Sequence, residues 1–168
     1  MNTLFDTACA QKLKTYKPYQ DLAKAFSDRE FPISVSAVHG SFLALLCEKL
    51  VRRFNRGVTL VFPSEKEAEL FARDCAEIGL PCLVFPWWGV APYREVPANS
   101  PIFGRRVRIL SELATASNQP RILITSVRSL LGMLPPPEQL LRSSFLIQQG
   151  QRLDLPEAIS ATSPVGVR

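Results

Sequence analysis

Between Val58 and Ser126, short β-branched runs alternate with amphipathic helical stretches, and this rhythm leaves the chain few folds to adopt. VTLVF at 58–62 is the clearest strand. Ser64 and Glu67 then form a capping-box pair, with Ala68, Leu70, Phe71 and Cys75 giving the following helix one apolar face that Gly79 closes. CLVF at 82–85 is a second short apolar strand. Helical spacing returns over 101–114 through Ile102, Val107, Leu110 and Leu113. RILIT at 121–125 is a third strand, and residues 127–131 predict a short helix ahead of three consecutive prolines at 135–137. Strands separated by helices of this length are βαβ units, so the expected fold is α/β, a mostly parallel sheet flanked by helices.

The first third extends the pattern. Leu22, Ala25 and Phe26 follow Pro18 at helical spacing. FPISVSAV at 31–38 predicts a buried strand, Gly40-Ser41 breaks it, and Leu43, Leu46, Leu50 and Phe54 mark a helix that Asn55-Arg56-Gly57 ends with a left-handed cap. Three segments result: a helical lead-in over 1–30, an α/β domain over 31–143, and an incomplete second domain over 144–168, opened by a strand at 145–147. After Leu155 the periodicity fades, and no internal repeat is present.

The 168 residues suit one domain with part of another. No apolar run approaches the roughly 20 residues of a spanning helix. The start carries Asp6, Lys12, Lys14 and Lys17, unlike a secretory signal, so a cytoplasmic protein with no membrane partner is expected. Cys9, Cys47, Cys75 and Cys82 lack paired spacing and the single histidine is His39. The expectation is reduced structural thiols and no metal. The chain holds 20 basic and 15 acidic residues, and the eight bases from residue 101 onward are all arginine against four acids. Such a lean suits a nucleic acid, an acidic partner or a solvated surface.

In α/β proteins a strand–glycine turn–helix is the place for phosphate. Here that place is His39-Gly40-Ser41. A working loop is GxxxxGK[ST], and the lysine, second glycine and second hydroxyl are all missing. These residues predict a tight turn, with no hydrolysis. His39 has no nucleophile or acid at a defined spacing, and Glu65, Glu67, Glu69, Asp74 and Glu77 read as a solvated helix face. No catalytic residue is therefore assigned. Trp87, Trp88 and Tyr93, in a proline-rich stretch, suit base stacking, a protein interface or a cover for the sheet end. Arg105, Arg106 and Arg108 suit phosphate, an acidic surface or solvent. Those six residues make up the candidate contact surface.

The sequence from Val84 onward carries a resemblance. VFPWWGVAPYREVPANSPIFGRRVRILSEL, RILITSVRSLLGMLPPPEQL and SFLIQQGQRLDL resemble, in order and spacing, the N-terminal part of bacterial transcription-repair coupling factor. The matching positions are Phe85-Pro86-Trp87, Pro92-Tyr93, Ser100-Pro101, Arg105-Arg106 and Ile124-Thr125-Ser126-Val127, with QQGQRLDL at 148–155 similar to the family's strand that opens its second domain. That module is similar in turn to the first domain (1a) of UvrB, a helicase-like excision-repair subunit with an intact phosphate loop. In the coupling factor the loop is degenerate, and VHGSF at 38–42 departs from the motif in the same way.

The resemblance implies a degenerate NTPase-like fold and a role in transcription-coupled nucleotide excision repair. The whole family member releases RNA polymerase stalled at lesions. It does so with an ATP- and magnesium-dependent DNA translocase in its C-terminal half, and it recruits UvrA through its UvrB-like module. By this resemblance the chain holds no cofactor itself. Its partners are the factor's other domains, polymerase and DNA being reached through domains absent here. The family's UvrA-contacting GY.R segment does not follow Leu155, so the chain is expected to be a truncated member that lacks this contact. Two other readings remain open at this point: an ATPase domain with an atypical phosphate loop, and a small DNA-binding module.

Overall fold

In the computed structural model, residues 11–89, 101–115, 120–142 and 150 are described. Helix α1, Lys17–Asp28, starts with proline in its first turn and buries Tyr19 and Ala23. It ends on Arg29, whose left-handed backbone (φ 57°) turns its N–H onto the Ala25 and Phe26 carbonyls. Helix α2, Gly40–Phe54, buries Ala44, Leu46, Cys47 and Val51 and ends on Asn55 (φ 48°), the expected left-handed cap.

Strand β1, Val58–Phe62, leads to α3, Glu65–Glu77. The Ser64 hydroxyl accepts the Glu67 N–H at 3.3 Å, which is the hydroxyl half of the predicted capping box. Gly79 (φ 71°) closes α3 while the Leu80 N–H reaches back to the Cys75 carbonyl at 2.8 Å. Strand β2 is Cys82–Phe85, helix α4 is Pro101–Ala114 and strand β3 is Ile122–Ser126. The short helix expected after β3 is a 3₁₀ turn, Arg128–Leu130, and Pro137–Arg142 forms α5.

The three strands run parallel in the order β1-β3-β2, with Val58 and Cys82 both opposite Ile122. The fold is thus α/β with a small parallel sheet flanked by helices, as the alternation predicts. Gly57 allows the close approach of β1 to β3, since a Cβ there would lie 3.1 Å from the Arg121 carbonyl oxygen. One face of the sheet, through Ile122 and Ile124, packs on Ala44, Cys47 and Val51 of α2 and Ala68, Phe71 and Cys75 of α3. Val84 joins that core, so its neighbour Phe85 points to the opposite face, where α4 lies. Helix α5 packs in turn against α4.

One predicted strand is absent. Residues 31–38 are irregular, with a cis Phe31–Pro32 bond and Ala37 in the left-handed region (φ 58°). An extended segment becomes a strand only when its amides find a neighbouring ladder. The residue at 37 breaks the extended geometry, Phe31 and Val35 are exposed, and the described sheet ends at β1. Among the described residues no helix is long and apolar enough to cross a membrane. The predicted strand at 145–147, and with it most of the 144–168 segment, lies outside the described residues.

Candidate functional site

The strand ends are where a parallel α/β sheet holds a ligand, and the site is built from what lies there. On α4, Ile102, Arg106 and Ile109 follow at four and three residues, one stripe of the helix, and Arg106 and Ile109 are both buried. Arg106 is 1% exposed. Its guanidinium carbon lies 4.0 Å from the Phe85 ring centroid and 4.3 Å from that of Trp88. The same group donates to the Pro86 carbonyl at 2.5 Å and to the Ser129 carbonyl at 3.5 Å. The planar fork thus stitches the chain leaving β2 to the turn after β3, a geometry for which arginine is suited and lysine is not.

Beside it, Glu65 from the first turn of α3 accepts from the Ser126 and Ser129 hydroxyls, the second at 2.9 Å. The two hydroxyls are 3.1 Å apart, and the Ser129 N–H donates to Ser126 Oγ at 3.3 Å. Thr125 Oγ1 donates to the Phe85 carbonyl at 3.1 Å. Burial lowers the Arg106 pKa, and the Glu65 carboxylate works against that shift; the guanidinium stays charged. Trp88 stacks on Phe103 at 6.1 Å with the rings tilted by 30°, and Gly132 passes close to the indole Nε1. Trp87 has Arg128 5.4 Å over its ring. Among the described residues, the ends of β2 and β3 are therefore filled by the chain's own side chains.

The packing corrects several expectations. Arg106 is not on a contact surface, because it falls on the apolar stripe of α4 and is enclosed by two rings. Trp87 and Trp88 are half-buried beside the end of β2, which leaves part of each ring accessible. Glu65 is not on a solvated face but is bound to two serines. Arg105 and Arg108 are exposed, with Arg108 bonded to Glu112 at 2.9 Å. Tyr93 lies outside the described residues. Nothing in the charge pattern announces the Glu65–Ser126–Ser129 cluster, in which the glutamate and the serines are more than 60 residues apart. The Ile102–Arg106–Ile109 spacing is the one signal of an inward-facing arginine.

The His39-Gly40-Ser41 turn lies elsewhere. His39 is the extended N-cap of α2 (φ −154°) and its side chain caps nothing. Gly40 is left-handed (φ 60°), Ser41 is exposed, and a Cβ at Gly40 would meet Asp74 Oδ2 at 3.7 Å. Asp74 is nine residues beyond Glu65 on α3, on the order of 14 Å along the helix axis. The N-terminus of α2 thus faces a carboxylate, well away from the filled strand ends. Lys49, the nearest following lysine, lies 3.1 Å from Glu48. Among the described residues no group of three or more His, Cys, Asp or Glu is placed to hold a metal. No family model, curated protein or solved structure matches this chain.

Proposed function

We propose that this chain is the non-catalytic UvrB-like module of a transcription-repair coupling factor, acting through contacts with the factor's other domains. The observation that carries this reading is the filling of the strand ends: Arg106, Glu65, Ser126 and Ser129 occupy the edge that a nucleotide would need. A glycine turn that faces Asp74 and lacks the loop lysine supports it further. On this reading ATP and magnesium belong to the motor of the whole factor, as does contact with polymerase, and UvrA is engaged by a segment this chain does not carry.

The DNA-binding alternative loses most of its basis with the arginines. Arg106 is enclosed, Arg108 is paired with Glu112, and Arg121 donates to the Glu112 carbonyl. Among the described side chains of that third, Arg105 and Arg128 remain, fewer than the several contacts of a phosphate-tracking groove. The test is to mix the purified chain with a coupling factor whose first UvrB-like module has been deleted. Stoichiometric association in a calorimetric titration is expected. Absence of association, with both proteins folded, contradicts the proposal.

A further inference from the structure

Between α1, the irregular 31–38 segment, α2 and the face of β1 lies a cavity of about 860 Å³ that no part of the proposed role uses. Its volume is within the range of small-molecule sites, and so is its chemistry, an apolar body with few polar groups. Phe26, Ile33, Leu50 and Leu60 line the body, and Arg29 and Arg56 line the rim. Phe26, three residues before Arg29, stacks on Phe54, two residues before Arg56, with ring centroids 5.7 Å apart.

Neither guanidinium has an ion-pair or hydrogen-bond partner among the described residues, whereas Arg52 and Arg108 each bind a glutamate. Asp28 and Glu30 flank Arg29 in sequence, and neither lines the cavity. Arg29 also holds a left-handed C-cap position. An apolar chamber with two uncommitted cations in its lining is complementary to an amphiphile with an anionic head.

We infer that this cavity binds an aliphatic carboxylate, its hydrocarbon among Phe26, Ile33, Leu50 and Leu60 and its carboxylate held by Arg29 and Arg56. The inference is independent of the role assigned to the strand ends, which lie on other elements. Calorimetric titration of the full chain with dodecanoate, kept below its micelle concentration, tests it beside dodecanol and dodecyltrimethylammonium. One dodecanoate per chain is expected, bound about tenfold tighter than dodecanol, the gain from charge-assisted hydrogen bonds. The double variant Arg29→Gln/Arg56→Gln alters only exposed side chains, and circular dichroism verifies its fold. It is expected to bring dodecanoate down to the affinity of dodecanol while leaving dodecanol unchanged. No saturable binding, equal binding of the cationic amphiphile, or indifference to the double variant would overturn the inference. So would self-association of the chain that dodecanoate fails to reverse in sedimentation, which would assign the cavity to a second copy.

Discussion

The guanidinium of Arg106 stands 4.3 Å from the ring of Trp88, a contact between helix α4 and the aromatic turn that leaves β2. The same cation lies 4.0 Å from Phe85, the last residue of that strand. One side chain therefore ties together β2, the turn, α4 and, through the Ser129 carbonyl, the loop after β3. Those are the parts that would have to stay apart for a ligand to enter at the strand ends. That closure supports the role proposed for the module, contact without catalysis.

Arg106→Met keeps an apolar stem but removes both ring contacts of the cation and leaves the Pro86 and Ser129 carbonyls without their donor. Losses of about 2–4 kcal/mol are expected, the range for breaking a buried hydrogen-bonded network. Arg105→Met, one position away and exposed, is expected to change stability by less than about 0.5 kcal/mol. Urea unfolding of the two variants measures the difference. Equal effects would place Arg106 at the surface.

Glu65→Ala deprives the Ser126 and Ser129 hydroxyls of their shared acceptor in a buried site. A loss of about 1–3 kcal/mol is expected. Glu65→Gln retains a carbonyl acceptor and is expected to lose less, though the attraction between the carboxylate and Arg106 goes with the charge. Thermal unfolding of both variants checks the order, and a larger loss in the Gln variant than in the Ala variant would contradict the network.

Burial pushes the Cys47 thiol from an ordinary 9.0 up to about 11, and Cys75 up to about 12, where the neighbouring Cys82 thiol adds to the effect of burial. Because the folded state holds these protons longer than the unfolded chain does, their contribution to stability is complete below pH 9. It is lost as the pH rises through 9 toward 11–12. The double variant Cys47→Ala/Cys75→Ala is expected to show a shallower decline of stability over that window, read from urea midpoints at successive pH values. Residue-resolved alkylation at pH 8 gives a second check. Cys47 and Cys75 are expected to react in the native chain far more slowly than in denaturant, since the thiolate is the nucleophile.

The legible parts of the fold are those encoded by a few adjacent residues. VTLVF is rich in β-branched and aromatic side chains, Ser64 and Glu67 mark the start of α3, and Asn55 marks the end of α2. FPISVSAV has the same local character as VTLVF and yet forms no strand. Whether an extended segment is a strand depends on a partner edge, and that is a fact about distant residues. The candidate site divides the same way. The weakness of His39-Gly40-Ser41 as a phosphate loop is readable from missing side chains. The burial of Arg106 is not readable from its charge, since arginines among arginines read as solvated. Its position between Ile102 and Ile109 on one helical stripe points inward, and tertiary packing decides for the stripe. Glu65, Ser126 and Ser129 meet only because β1 and β3 are paired, a pairing that parallel strands make across the intervening helices.

The most direct test of a closed, non-catalytic sheet edge is the melting temperature of the purified chain with and without millimolar ATP and magnesium. A nucleotide at 100 times its dissociation constant would add about 2.7 kcal/mol, several degrees for a domain of this size. The account predicts no shift. A concentration-dependent rise of several degrees would contradict it.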